Sequence, residues 1–450
     1  MILGWFFGIN ALMKKAVFGF ILLVLAVGGY LFWTDFGLFK KLVGDKGPTP
    51  SESPVVNLDG ELGFLSLPEG FEISIAAKNL ENPRVILFDA KGRMLVSETK
   101  AGRVSVLEDA DKDGSFENKR ALIDNLKAPH GLDFYKDEKN ITYLYIAETQ
   151  QVARYPYDVN AGRLSGVVGQ NIAFLPKDGR HFTRTIAFGP NFRKTAITNG
   201  LSEKETLSPV KLYISVGSSC DICLESSWKN AAILESDPVG SFTAEFAGGL
   251  RNAVFFAFHP ETKEIWATEM GRDNLGDNLP PDEINIVKVA DQENKFGARR
   301  YGWPFCYGHQ VKDKAFNPAK VDRLDIPTDC RQTEPATIEL PAHSAPLGLA
   351  FVTAKNWPKE WQNNLLVAYH GSWNRSEPTG YKIVRIQVDK NGKVSKIEDF
   401  ITGWLSVNYQ SPTTNYQTYG RPVDLKFGPD GALYVSDDTA SMIYKIETRP

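Results

Sequence analysis

The chain has 450 residues, of which 42% are hydrophobic and 23% are charged. This composition is typical of globular proteins and excludes disordered, collagen-like and coiled-coil chains. The 51 Lys and Arg residues nearly balance 54 Asp and Glu residues, giving a net charge of −3, so the chain lacks the basic excess of a nucleic-acid-binding protein and we expect no nucleic-acid partner.

An uninterrupted apolar run at residues 16–33 follows Lys14 and Lys15. Its 18 residues are enough to cross a bilayer. The run exceeds a signal-peptide core of about 7–15 residues, and no A-x-A cleavage site follows it. We therefore predict one N-terminal transmembrane helix within an uncleaved membrane anchor, residues 1–41; the alternative is a buried core helix. Such an anchor predicts a single-pass protein of the inner membrane whose larger part faces the periplasm or the outside.

Residues 42–56 are rich in Pro, Ser and Gly, which is typical of a linker. We assign residues 57–450 to one further domain. This domain contains all four cysteines of the chain, which are Cys220, Cys223, Cys306 and Cys330. An even number of cysteines behind an export-like anchor predicts two disulfides. The CDIC motif leaves two alternatives open, half of a zinc site or a redox motif, although no second CxxC or nearby His completes a zinc site.

A repeat organises this domain: an apolar strand ending in Phe, a polar turn, and a second strand similar to LYVS. The six marker phenylalanines are Phe88, Phe134, Phe188, Phe258, Phe351 and Phe427. Alternating apolar residues bounded by Gly, Asp, Asn and Pro turns are typical of β-hairpins. Six copies predict an all-β fold, a six-bladed β-propeller, with a β-sandwich as the alternative. Ring closure predicts that residues 442–447 pair with residues 71–77.

Polar residues precede the Phe-bearing strands at similar distances. They are Arg84, His130, His181, Arg251 with Asn252, His343 and Arg421. Because the innermost strands of a propeller start at the same end of the channel, we expect these side chains to converge. Arginine binds carboxylates in a bidentate manner, and neutral imidazole accepts a proton near pH 7. The pattern therefore predicts a cationic pocket for a small polyanionic cofactor, with a general base.

Other motifs add little to this pocket. No GxGxxG, Walker or GxSxG motif is present, so no known cradle for NAD, FAD or ATP is expected. The DADKDG sequence from Asp109 has the spacing of a calcium loop, but Arg120 occupies the twelfth position, where a bidentate Glu is needed. We favour a structural turn there. His259 and His309 are interpreted as packing or surface residues.

Five longer motifs, GLRNAVFFAFHP, TEMGRDNLGDNLPPDEINIV, YGWPFCYG, AYHGSWNR and GRPVDLKFGPDGALYVSDD, together resemble one family. The chain is similar over most of residues 62–447 to the quinoprotein sugar dehydrogenases, which use pyrroloquinoline quinone. The likeness is to the soluble glucose dehydrogenase, and closer to the sorbosone and pyranose dehydrogenase branch. The resemblance implies that His181 is the general base for hydride transfer from the sugar to the quinone.

The resemblance also assigns binding roles. It implies that the cofactor is bound by Arg251, Asn252, His343 and Arg421. The backbone carbonyls of Gly271 and Arg272 would hold Ca2+ against the quinone, a role that suits a hard cation. His130 would lie on the substrate side.

Three positions depart from the family pattern. Met270 replaces a polar residue of the glucose enzyme, and a Gly-Arg pair replaces the Gly-Pro pair at the calcium carbonyls. The cofactor-contacting lysine has no clear counterpart, and Arg375 or His370 is its expected replacement.

The sequence therefore predicts a membrane-anchored dehydrogenase that oxidises an aldose or related alcohol with pyrroloquinoline quinone and Ca2+. The chain has no haem motif, because Leu224 stands where a CxxCH motif needs His, so we expect a membrane quinone or an external cytochrome to accept the electrons. Two alternatives remain, a calcium-dependent lactonase-type hydrolase and a non-catalytic propeller that binds a partner.

Overall fold

The computed structural model describes residues 55–57, 60–177, 179–193, 208–290, 297–321, 323, 325–389, 391–408 and 415–449. The predicted anchor, residues 1–41, lies outside this part of the chain. Among the described residues, no helix has both the length and the hydropathy to cross a membrane. The first described strand, Val55–Asn57, overlaps the end of the predicted linker and pairs with Ser66–Pro68.

Six larger sheets of four or five strands follow one another around the described chain. Blade 1 consists of Pro83–Phe88, Met94–Glu98, Arg103–Glu108 and Asn118–Ile123. Blade 2 consists of Leu132–Lys136, Thr142–Ala147, Gln151–Asp158, Arg163–Leu164 and Gln170–Phe174. Blade 3 consists of Ile186–Pro190, Val210–Val216, Ala232–Ser236 and Thr243–Gly248, with Arg299–Arg300 added in parallel.

Blades 4 to 6 complete the ring. Blade 4 consists of Phe256–Phe258, Ile265–Glu269, Asp282–Val287 and Ile338–Leu340. Blade 5 consists of Pro346–Phe351, Leu365–Tyr369, Lys382–Val388 and Val394–Ile401. Blade 6 consists of Pro422–Phe427, Leu433–Asp437, Met442–Thr448 and, from the other end of the domain, Phe71–Ala77. Phe71–Ala77 pairs antiparallel with Met442–Thr448, so the six-bladed propeller and its predicted closure are confirmed.

Shorter elements lie in the connections between strands. Two ribbons pair Cys306–Tyr307 with Val311–Lys312 and Leu405–Asn408 with Asn415–Thr418. Within the described ranges, three short 3-10 helices span Gly60–Leu62, Cys330–Gln332 and Lys359–Trp361. The predicted disulfides are confirmed as Cys220–Cys223 and Cys306–Cys330. Because both sulfurs of the CDIC motif are joined to each other, the motif does not provide thiolate ligands for zinc.

The second strands of the blades are more buried than their alternating sequence predicts. Every residue of Met94–Glu98, Ile265–Glu269, Leu365–Tyr369 and Leu433–Asp437 is buried. Blades of a propeller stack face to face, so both faces of these strands lie against protein rather than against water. The alternation marks two buried faces of different polarity, not one buried face and one exposed face.

The marker phenylalanines pack between blades. In four cases the Phe ring contacts an aromatic ring on the second strand of the preceding blade. These pairs are Phe88–Tyr434 at 5.0 Å, Phe188–Tyr145 at 4.8 Å, Phe258–Tyr213 at 5.8 Å and Phe351–Trp266 at 5.4 Å between ring centroids. Such aromatic pairs add stability beyond the area they bury. The sequence repeat therefore encodes the contact between neighbouring blades.

Buried carboxylates also join the innermost strands. Asp133 Oδ2 accepts a hydrogen bond from Phe188 N at 2.7 Å, and Asp424 Oδ2 accepts one from Ile86 N at 2.8 Å. Burial raises the pKa of both carboxyl groups. These bonds hold neighbouring inner strands together, and the predicted functional residues lie at or just before the starts of the inner strands.

Candidate active site

One cavity brings together five of the residues predicted from the sequence. It has a volume of about 220 Å³, and its lining includes His181, Arg251, Asn252, Gly271 and His343. Three of the four segments that supply them directly precede the inner strands of blades 3, 4 and 5. The convergence predicted for this mouth is therefore observed for these blades.

His181 is half-buried at the cavity wall. Its Nδ1 lies 3.0 Å from both the carbonyl oxygen and the Oγ of Ser218. Burial, followed by the positive charge of Arg251, lowers the pKa of His181 to about 3. The ring is therefore neutral at neutral pH, and when Nδ1 donates to the Ser218 carbonyl, the lone pair lies on Nε2. His181 is thus in the protonation state that a general base requires.

Arg251 is buried in a four-charge cluster. Its Nη2 lies 2.7 Å from Asp221 Oδ1 and 3.4 Å from Asp273 Oδ2. The exposed Arg180 places Nη2 2.6 Å from the same Asp273 oxygen. Two arginines and two aspartates balance one another, so the predicted cationic pocket is wrong in one respect: the aspartates offset the arginine charges.

The two aspartates of this cluster differ in acidity. The pKa of Asp273 is raised, first by burial and further by the negative charge of Asp221. The pKa of Asp221 is lowered; burial opposes this change, but a hydrogen bond from Asp273 N and the charge of Arg251 outweigh burial. Asp221 is therefore the firmly ionised partner of Arg251.

Asn252 is held through its main chain and its side chain. Its N–H donates to Glu269 Oε1 at 3.2 Å, and its Nδ2 lies 3.5 Å from Met270 Sδ. Glu269 is fully buried, and desolvation raises its pKa well above the usual value. The buried carboxyl group of Glu269 thus holds the main chain of Asn252.

The backbone at Gly271 and Arg272 contains free acceptors. Gly271 N donates to Asp282 Oδ1 at 3.0 Å. Within the described residues, neither the Gly271 nor the Arg272 carbonyl oxygen accepts a hydrogen bond. Asp282 is buried at the cavity, and burial raises its pKa to about 6. The Arg272 side chain points to another partner, Asp313, at 3.1 Å.

His343 and Asn374 form the opposite wall. His343 Nε2 lies 2.9 Å from the carbonyl oxygen of Gly276, so this nitrogen carries the proton and Nδ1 is an acceptor. Asn374 Nδ2 lies 3.4 Å from that Nδ1 and donates to Asp273 Oδ1 at 2.7 Å. Trp373 lies at the rim with 69% of its surface exposed.

Other predicted residues do not line this cavity. His130 is completely buried; its Nδ1 lies 3.3 Å from Thr185 Oγ1, its ring packs against Phe255, and its Nε2 has no partner among the described residues. Burial lowers its pKa well below the usual value. Arg375 donates to the carbonyl oxygens of Glu377, Asp277 and Ala342. The roles of His130 and Arg375 toward substrate and cofactor stay predictions.

Arg421 belongs to a second cluster. Its guanidinium donates to the carbonyl oxygens of His370 and Gly371. His370 Nε2 and Arg84 Nη1 lie 3.0 and 2.7 Å from the two oxygens of Asp438. The predicted convergence of rim residues is therefore divided between the cavity and this neighbouring cluster, and the cofactor role of Arg421 stays a prediction.

The DADKDG sequence forms a turn between two strands of blade 1. Carboxylate oxygens of Asp109, Asp111, Asp113 and Glu117 lie within 4.8 Å of one another. Gly114 N donates to Asp109 Oδ2 at 2.9 Å, and Ser115 N donates to Asp113 Oδ1 at 2.7 Å. Asp109 and Asp113 thus stabilise the turn, as the sequence predicts.

The sequence analysis missed several cavity residues. They are Arg180, Asp273, Asp282, Trp373 and Asn374, with Asp221 behind Arg251. Asp221, Asp273 and Trp373 follow the second strands of blades 3, 4 and 5. Because adjacent strands are antiparallel, a second strand ends at the mouth where the first strand begins. Residues after each second strand were therefore the available signal.

The chain is similar to known proteins in sequence and in fold. A family model described as TrAA12-like matches residues 65–449. An uncharacterised protein from Borreliella burgdorferi is 30% identical over 390 residues, which covers 85% of this chain and 90% of that protein.

A protein from Coprinopsis cinerea named pyrroloquinoline quinone-dependent pyranose dehydrogenase is 24% identical over 430 residues. This match covers 85% of the chain but 54% of that relative, so the chain spans about half of the relative's length. Among solved structures, the calcium structure of a Trichoderma reesei protein of Carbohydrate-Active Enzymes Family AA12 has a TM-score of 0.65 at 21% identity. It covers 90% of this chain and 100% of that chain, which shows the shared fold.

Proposed function

The chain belongs to the TrAA12-like family, and on this premise we propose that it is a dehydrogenase that oxidises an aldose or a related sugar or alcohol with pyrroloquinoline quinone. The family predicted from the sequence motifs is confirmed, because the relatives include a pyrroloquinoline quinone-dependent pyranose dehydrogenase. The observation that carries the proposal is the meeting of His181, Arg251, Asn252 and His343 around one cavity. The relatives favour neither the lactonase-type hydrolase nor the non-catalytic propeller.

The residues of the cavity fit an anionic quinone. Arg180, Arg251, Asn252 and Asn374 contribute N–H donors to its lining. Charge-assisted hydrogen bonds from guanidinium groups are among the strongest that a carboxylate forms. Trp373 adds an exposed aromatic face beside these donors. A planar cofactor with carboxylates matches this combination of groups.

The bound quinone would supply an electrophilic carbonyl carbon that accepts hydride. The contribution of His181 is to remove the proton of the reacting sugar hydroxyl, which neutral Nε2 can accept. In the free protein, burial and the charge of Arg251 lower the pKa of His181 to about 3. An anion bound to Arg251 offsets part of that charge, so the base becomes stronger when the cofactor is present.

We also propose that the carbonyl oxygens of Gly271 and Arg272 bind Ca2+. Both are free of hydrogen bonds from the described part of the chain, and carbonyl and carboxylate oxygens are the ligands that Ca2+ prefers. The buried carboxylate of Asp282 adds negative charge beside Gly271. Ca2+ would polarise the carbonyl group of the cofactor as a Lewis acid.

The proposed location and electron acceptor follow from the sequence. The apolar run at residues 16–33 supports a membrane anchor with the propeller on the periplasmic or outer side. Because the chain has no CxxCH haem motif, the electrons would leave to a membrane quinone or an external cytochrome.

The experiment is reconstitution of the full chain in detergent with Ca2+ and pyrroloquinoline quinone, followed by dye reduction over a panel of aldoses, sorbosone and polyols. We expect sugar-dependent dye reduction; its absence, together with the absence of a cofactor absorbance band, would contradict the proposal. His181→Ala should abolish turnover and largely preserve quinone binding. The exposed His309, which pairs with Glu339 at 2.9 Å, provides the control His309→Ala, which should keep full activity.

A further inference from the structure

The CDIC motif contacts the cavity residue Arg251 through Asp221, and the proposed function does not use this motif. The motif lies in the loop after strand Val210–Val216 of blade 3. Its disulfide, Cys220–Cys223, closes a ring of four residues in which Asp221 is the charged member. A ring this small restricts the backbone around Asp221. The position of Asp221 is thus constrained by covalent bonds as well as by packing.

Asp221 contacts two residues of the cavity through its Oδ1 and its carbonyl oxygen. Its Oδ1 lies 2.7 Å from Arg251 Nη2, and its carbonyl oxygen accepts a hydrogen bond from Arg251 Nε at 3.0 Å. The same Oδ1 accepts a hydrogen bond from Asp273 N at 2.9 Å. The carbonyl oxygen also accepts from Trp303 Nε1 at 3.3 Å. Asp221 therefore holds both the arginine and the backbone of the neighbouring aspartate.

These contacts define the direction of the Arg251 guanidinium. A guanidinium has five N–H bonds in one plane. Asp221 takes Nε and one hydrogen of Nη2, Asp273 takes the other hydrogen of Nη2, and Met270 O accepts from Nη1 at 3.2 Å. Among the contacts of the described residues, one N–H of Nη1 is left for a ligand. Since the group is planar, fixing Nε and Nη2 also fixes the direction of this N–H.

Asp273 competes for the same guanidinium. Its Oδ2 lies 3.4 Å from Arg251 Nη2, while Arg180 holds that oxygen at 2.6 Å. Arginine prefers a bidentate pair with a single carboxylate. Without Asp221, Arg251 would be free to turn toward Asp273, and the N–H groups available to an anion would change. Asp221 thus keeps Arg251 from turning into a bidentate pair with Asp273.

The same loop also holds the predicted base. Ser218 contacts His181 Nδ1 through its carbonyl oxygen and its Oγ at 3.0 Å. Ser218 Oγ donates to the carbonyl oxygen of Cys220 at 2.6 Å. Ser219 is fixed by the buried carboxylate of Glu225, at 2.6 Å to its N and 2.7 Å to its Oγ. One disulfide-closed loop therefore sets the relative positions of His181 and Arg251.

We propose that Asp221, held in the Cys220–Cys223 ring, is a positioning residue that orients Arg251 for the carboxylates of the cofactor. This inference rests on the proposed function. Replacing residues that orient metal ligands typically lowers metal affinity by about 10–100-fold, and we use the same range for a residue that orients a binding arginine. We expect a loss in that range for Asp221→Asn, which keeps the size of the side chain and removes its charge.

The test measures quinone binding directly, by titrating the full chain in detergent with pyrroloquinoline quinone and following tryptophan fluorescence, without turnover. Asp221→Asn should raise Kd about 10–100-fold, and Asp221→Glu should restore part of the affinity because it restores the charge. The double variant Cys220→Ser/Cys223→Ser should also raise Kd. In the cysteine double variant, Asp221→Asn should raise Kd by a smaller factor than in the wild-type chain, because both changes act on one unit.

The matched control is Glu398→Gln in blade 5, which removes a carboxylate paired with a buried arginine, Arg385, at 3.1 Å. It should lower stability and leave Kd unchanged. Thermal melting identifies variants that do not fold; if Asp221→Asn is one of them, Asp221→Glu and the cysteine variant carry the test. A wild-type chain that binds quinone and an Asp221→Asn variant of equal affinity would overturn this inference alone. A wild-type chain that binds no quinone would overturn it together with the proposed function.

Discussion

Gly217 separates two predicted functional residues, and we expect Gly217→Ala to impair both. A Cβ at this position would lie 2.5 Å from His181 Cβ and 2.6 Å from Asn252 Oδ1. Real Cβ atoms essentially never approach other atoms so closely. The contact with His181 is at the base of its side chain, next to the backbone, so rotation of the ring does not relieve it. The backbone at His181 or strand Val210–Val216 must therefore move.

The expected size of the effect follows from this overlap. Inserting a methyl group into a packed site costs about 1–3 kcal/mol of stability. A displacement of about 1 Å between reacting groups lowers the rate by about 10²-fold. Gly217→Ala should therefore remain folded, with kcat reduced about 100-fold and quinone affinity reduced through the displaced Asn252.

The assay combines dye reduction, fluorescence titration with quinone, and thermal melting. Gly166→Ala is the matched control, because a Cβ at Gly166 meets no atom within 4 Å; it should behave as the wild-type chain. If Gly217→Ala folded and retained full kcat and quinone affinity, the packing of His181 against Asn252 would not matter for activity, and the assignment of this wall of the cavity would be wrong.

Three further predictions concern stability. Burial lowers the pKa of His181 to about 3 and that of His370 to about 4, against 6.5 in the unfolded chain. As the pH is lowered, the unfolded chain therefore binds these protons before the folded chain does. The urea midpoint should decrease as the pH falls from 6.5 to 4, and this decrease should be less steep in His181→Ala. Equal slopes in the two chains would contradict the buried neutral imidazole. Replacing Cys306 and Cys330, which are 24 residues apart, by serine should lower the free energy of unfolding by about 3 kcal/mol; a urea titration that shows no loss would mean that other contacts hold this loop. Phe71→Ala should lower the free energy of unfolding by about 3–5 kcal/mol. Phe71 lies on the strand that closes the propeller, and its ring is 4.7–5.1 Å from three aromatic rings. An unchanged melting temperature would contradict a stabilising role for Phe71.

The blade repeat was predictable because its physical cause is local. Each blade needs a strand, a tight turn and a second strand, and the Phe of one blade packs on the aromatic residue of the preceding blade, as Phe188 does on Tyr145. The strand–turn–strand unit recurs six times, and the aromatic contact with the second strand of the preceding blade recurs four times, so both appear in the sequence. Closure by residues 71–77 was also predictable, since an open ring would leave an unpaired strand at its edge.

The position of the site was predictable, but its electrostatics were not. Reading the residues before each inner strand identified His181, Arg251 and His343, which do meet. The same rule selected Arg421, whose guanidinium turns to the carbonyl oxygens of His370 and Gly371. Spacing along the chain gives the end of the strand at which a residue lies. It does not give the rotamer of a long side chain or the partner that this side chain selects.

The aspartates show why counting basic residues misjudged the pocket. A buried guanidinium without a partner carries a large desolvation cost, so a free cationic cavity is unstable before its ligand arrives. Asp221 and Asp273 offset this cost for Arg251. Both aspartates lie in loops outside the GLRNAVFFAFHP motif, which contains Arg251. An anion can then bind through the N–H that these contacts leave free, without having to order the arginine first. Affinity in such a site depends on the direction of its donors more than on its net charge, and direction is set by distant segments that meet only in the folded ring.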